Sequence, residues 1–241
     1  MNTSIQHKND AKEIFKKCGT CSRTFAHILN REFGNVKEHE ERALNPLAGG
    51  IMNHGHQCGM LWGAALAVGA ESYRTHKDLE KAIPIAVNAT QHIIESFVKY
   101  SGAKNCKDII GYDLTSIIGM TKFMFKVTLK GMENSHCFNL AEQWAPEAVE
   151  VATKSLSQNI AIKQKPVISC ASEVVRQMGG RDEELAMVSG FAGGLGLSGE
   201  ACGALSAAIW KKMLDWCRDN PEKIPPYFNN KTAKKMLKAF N

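Results

Sequence analysis

Two related stretches constrain this chain more than anything else in it. Leu47 to Leu61, LAGGIMNHGHQCGML, returns 144 positions later as Phe191 to Leu205, FAGGLGLSGEACGAL. Aligned without a gap, they share Ala48/Ala192, Gly49/Gly193, Gly50/Gly194, Gly55/Gly199, Cys58/Cys202, Gly59/Gly203 and Leu61/Leu205. The shared residues are mainly glycines and a cysteine. Such residues suit a backbone that must approach another group closely.

The surroundings of both stretches read as helix. After Cys21, the apolar residues Phe25, Ile28, Leu29 and Phe33 fall at helical spacing, and Gly34 is placed to end that helix. After Cys58, Gly63, Ala64, Ala67 and Ala70 form a small-residue face that lets a neighbouring helix come close, with Gly69 as the expected cap. Thr75 to Tyr100 reads as a further helix, kinked or restarted at Pro84. Asn105 to Gly111 suits a short helical segment capped by glycine, and Cys137 begins another helix in which Pro146 is a local defect. The run Leu114–Leu129 is apolar and β-branched enough to be left unassigned. Beyond Lys163–Pro166, the best boundary, Cys170, Val174, Val175, Met178 and Gly179-Gly180 repeat the pattern of Cys21 and its helix. Alternating strand patterns are nearly absent. The expected fold is all-α, a helical bundle with one complete cysteine/glycine-rich unit (1–160) and one partial unit (161–241) packed on it.

Charge and cysteine content narrow the function. Net charge is +6, with acidic residues mixed throughout. The basic tail Lys231–Lys238 reads as a solvated helix face, so nucleic-acid binding is not expected. No apolar run approaches the roughly 20 residues that span a bilayer, and the polar start reads as neither signal peptide nor anchor. A cytoplasmic protein off the membrane is expected. Its eight cysteines would then stay reduced, which favours metal, cluster or redox chemistry over disulfides.

The cysteines sit where their chemistry would be sharpened. Cys21, Cys58 and Cys137 fall at or near predicted helix starts, and Cys106 opens a short turn. Unpaired N–H groups and the helix dipole there stabilise a thiolate, the form that ligates metal or attacks a disulfide. Gly55 and Gly59 would let N–H groups point at sulfur or a bound anion. Four such cysteines match the count for one iron–sulfur cluster and equally for a tetrahedral zinc site. Cys217, following Trp216 on a helix, reads as structural, and Cys18 is open between roles. His54 and His56 flank Gly55, but the second copy has Ser198 and Glu200 there, so the repeat does not require imidazole. No Lys-Ser/Thr follows the glycines as in a phosphate-binding loop, and no hydrolase nucleophile elbow is present.

In order, Cys21, AGGIMNHGHQCGMLWGAALAVG, Asn105-Cys106-Lys-Asp-Ile-Ile-Gly and Cys137 resemble the redox-active family named for its C…GCAxxG…C…C pattern. The resemblance covers about Ile14 to Leu156, and Val167 to about Trp210 looks like the front half of a second unit. It implies a helical, cytoplasmic redox or electron-transfer protein of mainly anaerobic microbes, related to the non-haem part of split-Soret-type cytochromes. It further implies Cys21, Cys58, Cys106 and Cys137 as cofactor and metal ligands, with Cys170 and Cys202 matching the first two positions of the second unit. Met60 departs from the family's alanine after Cys-Gly, the second unit lacks clear third and fourth cysteines unless Cys217 serves, and no haem motif is present.

Three readings follow. The first is an iron–sulfur protein passing electrons to a redox partner protein rather than converting a substrate. The second is a thiol–disulfide oxidoreductase using Cys58, Cys202 or the Cys18/Cys21 pair. The third is a zinc-binding or assembly module of a larger redox complex. The small-residue helix faces also suit a homodimer.

Overall fold

A helix that is apolar on every side belongs at the centre of a fold, and α4 (Gly59–His76) is such a helix: GMLWGAALAVGA at its start is buried without a break from Gly59 to Ala70. The computed structural model describes residues 9–158, 169–227 and 229–240. Around α4 pack α2 (Cys21–Glu32), α5 (Leu79–Ser101), α8 (His136–Leu156) and α10 (Asp182–Met187). α1 (Ala11–Cys18) lies across α2 and α8, while α3 (Glu38–Arg42), α6 (Cys106–Ile110) and α7 (Ile117–Lys130) complete the first part of the chain. α9 (Cys170–Gln177), α11 (Gly203–Asp219) and α12 (Lys231–Phe240) follow α8 and flank α10 in sequence. The fold is all-α: among the described residues the only extended pairing is a single antiparallel bridge between Gln57 and Asn105.

Glycine sets how closely the layers meet. A Cβ built on Gly63 would stand 2.0 Å from the Ser22 carbonyl oxygen, so α2 crosses α4 at a distance only glycine permits. Gly69 does not cap α4. The helix continues to His76, and a Cβ at Gly69 would meet the Ala186 carbonyl at 2.4 Å, which makes this the close-approach point for α10. Lys77, at φ 52°, ends α4 instead, and Asp78 starts α5 by accepting from the Glu80 N–H at 2.9 Å. The single helix expected across Thr75–Tyr100 is therefore interrupted at this point. Pro84 does not restart it: α5 runs unbroken to Gly102, whose left-handed backbone closes the helix. Pro146 likewise lies inside a continuous α8. Gly34, at φ 65°, returns its N–H to the Arg31 carbonyl just past α2.

Aromatic packing ties these helices together. Trp144 of α8 is fully buried, with Phe25 of α2 stacked at 4.7 Å and Phe97 of α5 edge-on at 4.7 Å. Its indole N–H donates to Ser96 Oγ at 3.1 Å. Each such ring pair adds about 0.5–1.5 kcal/mol beyond simple burial. The second part of the chain shares this core. Trp62 of α4 meets Phe191 edge-on at 4.9 Å, and the Trp210 indole of α11 donates to the Glu40 carbonyl at 3.0 Å. The expected boundary at Lys163–Pro166 lies outside the described residues.

The ambiguous run Leu114–Leu129 resolves as α7, entered through Ser116, whose Oγ accepts from the Gly119 N–H at 2.9 Å. No residue of this helix is buried.

Candidate functional site

The first glycine-rich stretch turns in the wrong hand. Five consecutive residues, Gly49 to Asn53, have φ of 66, 70, 63, 52 and 67°. Left-handed backbone costs about 1–2 kcal/mol for each non-glycine residue, so Ile51, Met52 and Asn53 are strained where glycine is not. The surrounding bonds hold them there. Ile51 N–H donates to Leu47 O, Met52 N–H to Pro46 O, His54 N–H to Ile51 O, and Gly55 N–H to Gly49 O. All four recur 144 positions on, from Leu195, Gly196, Ser198 and Gly199 to Phe191, Gly190, Leu195 and Gly193, with φ from 50 to 77° across Gly193–Leu197. Buried Gln57 links the two loops, its side-chain amide donating to the carbonyls of Gly194 at 2.8 Å and Gly199 at 2.7 Å.

The loop delivers Cys58 to the N-cap of α4. The Cys58 N–H donates to the Lys104 carbonyl at 2.8 Å, and the Cys106 N–H to the His56 carbonyl at 2.7 Å, which sets these two cysteines side by side. Gly55 permits this approach, since a Cβ there would stand 2.8 Å from Lys107 Cβ. Cys106 is the first residue of α6, Cys21 the first of α2, and Cys137 the second of α8. Thr20 caps α2 by accepting from the Arg23 N–H at 3.4 Å and donates to Asn45 Oδ1 at 3.0 Å, which fixes the turn that carries Cys21.

All four cysteines line one cavity of about 310 Å³. Its walls are mostly apolar: Met60, Ile109, Ile110 and Phe138 from the inner helices, and Phe123, Met124 and Val127 from α7. Gly59 is also part of the cradle, since a Cβ there would collide with the Cys21 sulfur at 2.4 Å. The Cys58 thiol donates to the Cys21 sulfur, and the N–H groups of Gly49, Ser22 and Cys21 also favour its thiolate. Together they outweigh burial and bring the Cys21 thiol down to about 7. Cys58 is pushed well up, first by serving as donor in that bond and then by burial. Burial, followed by repulsion from Cys21, raises Cys106, and raises Cys137 to about 12. An apolar chamber with several sulfurs resists collecting negative charge unless a cation balances it.

Tyr227 reaches this cavity from the other end of the chain. Its hydroxyl donates to Asn53 Oδ1 at the tip of the left-handed loop. Burial, then the nearby cysteines, raises its phenol. Sequence reasoning missed Tyr227: it stands in the irregular Pro221–Tyr227 segment, where no periodicity or motif marks it.

The remaining candidates lie elsewhere. Cys170 is the exposed first residue of α9, and Cys202 is the half-buried N-cap of α11; neither lines the cavity. Cys217 is fully buried in the core, where desolvation raises it to about 11, and it does not line the four-cysteine cavity. Cys18, raised by burial to about 11, lines a separate polar cavity with Arg23 and His27. His54 and His56 are exposed and outside the cysteine cavity. Among the described residues, no group of three or more His, Cys, Asp or Glu side chains converges on a point that could hold a single metal ion.

Fold and site together define an all-α protein organised around a four-cysteine cavity. The chain belongs to the family described as "Putative redox-active protein (C_GCAxxG_C_C)", whose model matches residues 19–151, more than half of its length. It is thus a member of a redox-active family, and the matched span includes Cys21, Cys58, Cys106 and Cys137. No match was found among curated proteins or among solved structures. No helix among the described residues is long and apolar enough to cross a membrane.

Proposed function

We propose that this is a cytoplasmic iron–sulfur protein that transfers electrons, with Cys21, Cys58, Cys106 and Cys137 holding the cluster. The observation that carries the reading is the gathering of four sulfurs on the wall of one apolar cavity. Four thiolates are the usual ligand set for such clusters. A cavity wall that offers four sulfurs and, among the described residues, no histidine or carboxylate fits an iron–sulfur cluster, with a tetrahedral zinc ion as the alternative. When bound, the cluster would supply one-electron chemistry. The protein's part is to exclude water with Met60, Phe138 and α7, to keep Gly59 clear of the Cys21 sulfur, and to aim the Gly49 and Ser22 N–H groups at that sulfur. Burial and such N–H groups tune the potential of sulfur-ligated iron. In this reading residues 1–160 form the complete unit and 161–241 the partial one, which contributes Tyr227 to the cavity wall.

A second reading rests on the placing of Cys21 and Cys58 on the same cavity wall, where the neighbouring thiol and nearby N–H groups lower Cys21. A dithiol of this kind can reduce a disulfide. The Cys21 thiolate attacks one sulfur and expels the other as a thiolate, and Cys58 then loses its proton and displaces the mixed disulfide. The products are a Cys21–Cys58 disulfide and a reduced substrate dithiol.

Anaerobic preparation separates the readings. Iron and acid-labile sulfide in stoichiometric amounts, with visible charge-transfer absorption, support the cluster. Cys58→Ala should abolish that colour and Cys217→Ala should preserve it. Colourless protein with disulfide reductase activity selects the dithiol reading, and zinc without iron selects a zinc-binding or assembly module.

A further inference from the structure

α7 carries two adjacent rows of solvent-exposed side chains. Ile118, Phe125 and Leu129 form one row, 70, 65 and 70% exposed, with Ile117 at 85% at the helix start. Spacings of seven and four residues put them on one face of a helix. Beside them run Lys122, Lys126 and Lys130, all exposed and spaced four apart. The helix contains no Asp or Glu, and none of the three lysines forms an ion pair among the described residues. Lys126 Nζ instead sits 5.4 Å over the Tyr112 ring. Three like charges in a row disfavour one another on an isolated helix. A stripe of large apolar side chains in water is uncommon unless something covers it.

The opposite side of the same helix faces the cysteines. Phe123, Met124 and Val127 line the four-cysteine cavity. Whatever binds the outer face of α7 is therefore separated from the sulfurs by little more than the width of one helix, about 10–12 Å.

We propose that the outer face of α7 is the docking surface for an acidic redox protein, whose carboxylates meet Lys122, Lys126 and Lys130 while an apolar patch covers Ile118, Phe125 and Leu129. This rests on the redox reading of the cavity. Charge selects the occupant. A second copy docked antiparallel through the same face in a two-fold dimer would lay the two lysine rows side by side, whereas an acidic partner is drawn to that row and held by the apolar stripe beside it.

The test uses the full chain, with and without loaded iron, so that binding is read independently of electron transfer. The probe is a purified acidic flavodoxin, with a basic c-type cytochrome as the opposite-charge control. Titration calorimetry at low and moderate salt should show flavodoxin binding that weakens at least tenfold as salt rises, and no cytochrome binding. The triple variant K122E/K126E/K130E should lose about tenfold or more in flavodoxin affinity at low salt, and K122E/K130E, which leaves the Lys126–Tyr112 contact in place, should lose affinity in the same direction. F125S/L129S should weaken binding about tenfold while leaving the salt dependence intact. Absence of flavodoxin binding, or binding unaffected by the triple variant, overturns the proposal. So does salt-sensitive binding to phosphatidylglycerol vesicles in place of flavodoxin, or a dimer in sedimentation that F125S/L129S dissolves. Binding that persists in the iron-free protein, with no electron transfer in the loaded one, would leave docking standing and count against the cluster reading instead.

Discussion

Gly59 and the Cys21 sulfur are in such close register that a single added carbon would collide with it, at 2.4 Å, while also pressing on Ala48 Cα at 3.0 Å. The first residue of α4 is thus part of the cysteine cradle, whereas Gly63, one turn later, is part of the α2–α4 contact. Alanine at the two positions should separate these roles. Gly59→Ala is expected to displace Cys21 and cut iron incorporation severely. Gly63→Ala, forced against the Ser22 carbonyl, should cost about 1–3 kcal/mol of stability. Iron per chain and chemical denaturation midpoints measure the two effects, and an alanine at residue 59 with full iron would refute the cradle.

Tyr227 closes the cavity from the distant end of the chain. Tyr227→Phe keeps the ring but removes the bond to Asn53, with an expected cost of about 0.5–1.5 kcal/mol. Tyr227→Ala opens the wall, so alkylation of the cavity cysteines in the iron-free protein should speed up well beyond wild type and beyond the Phe variant. Mass spectrometry of timed alkylation reads this directly. Equal rates in all three proteins would show that Tyr227 does not shield the sulfurs.

The second loop offers a strain that can be removed without touching the cysteines. Leu197 has φ 61° and a side chain 61% exposed, so it carries left-handed strain with little burial in return. Leu197→Gly is expected to raise stability by roughly 0.5–1 kcal/mol, the residual after glycine's entropy cost is set against the relief. Equilibrium denaturation measures it; a loss of stability would mean that the contact of Leu197 with Gly193 outweighs the strain.

Acid should loosen the junction of α2 and α3. The Glu41 carboxylate is buried, which alone would raise it, but His27, the Asn30 amide at 2.8 Å and the Lys37 N–H at 3.1 Å hold it below its ordinary value. Its contribution is therefore complete above the ordinary carboxylate range near 4.5 and is lost as pH falls through the lower folded value. Glu41→Gln should flatten the acid limb of the stability profile and lower stability at neutral pH by about 1–3 kcal/mol. An unchanged acid limb in the variant would assign that titration elsewhere.

Local patterns made much of this molecule readable. Spacing of apolar residues disclosed α2, α5 and α8, and the positions of Cys21, Cys58, Cys106 and Cys137 at or next to helix starts followed from those helices and their glycine caps. The loop echo was visible as identical residues, although not that both loops run left-handed. Two local inferences did not hold, and one run could not be assigned. Gly69 looked like a cap because it lies near the expected end of its helix, yet it admits the Ala186 backbone. Pro84 looked like a kink or a restart, yet α5 continues through it without restarting. The run Leu114–Leu129 had no decisive period because α7 buries neither face fully.

The sequence by itself determined the helical class, the two glycine–cysteine loops and the order of cysteines that marks the family, because these depend on residues near one another in the chain. Only the tertiary structure decided that four cysteines line one cavity, that Cys170, Cys202 and Cys217 do not, and that Tyr227 does. Those facts depend on which backbones can approach at Gly59, Gly63 and Gly69, and close approach between distant segments leaves no periodic trace in sequence.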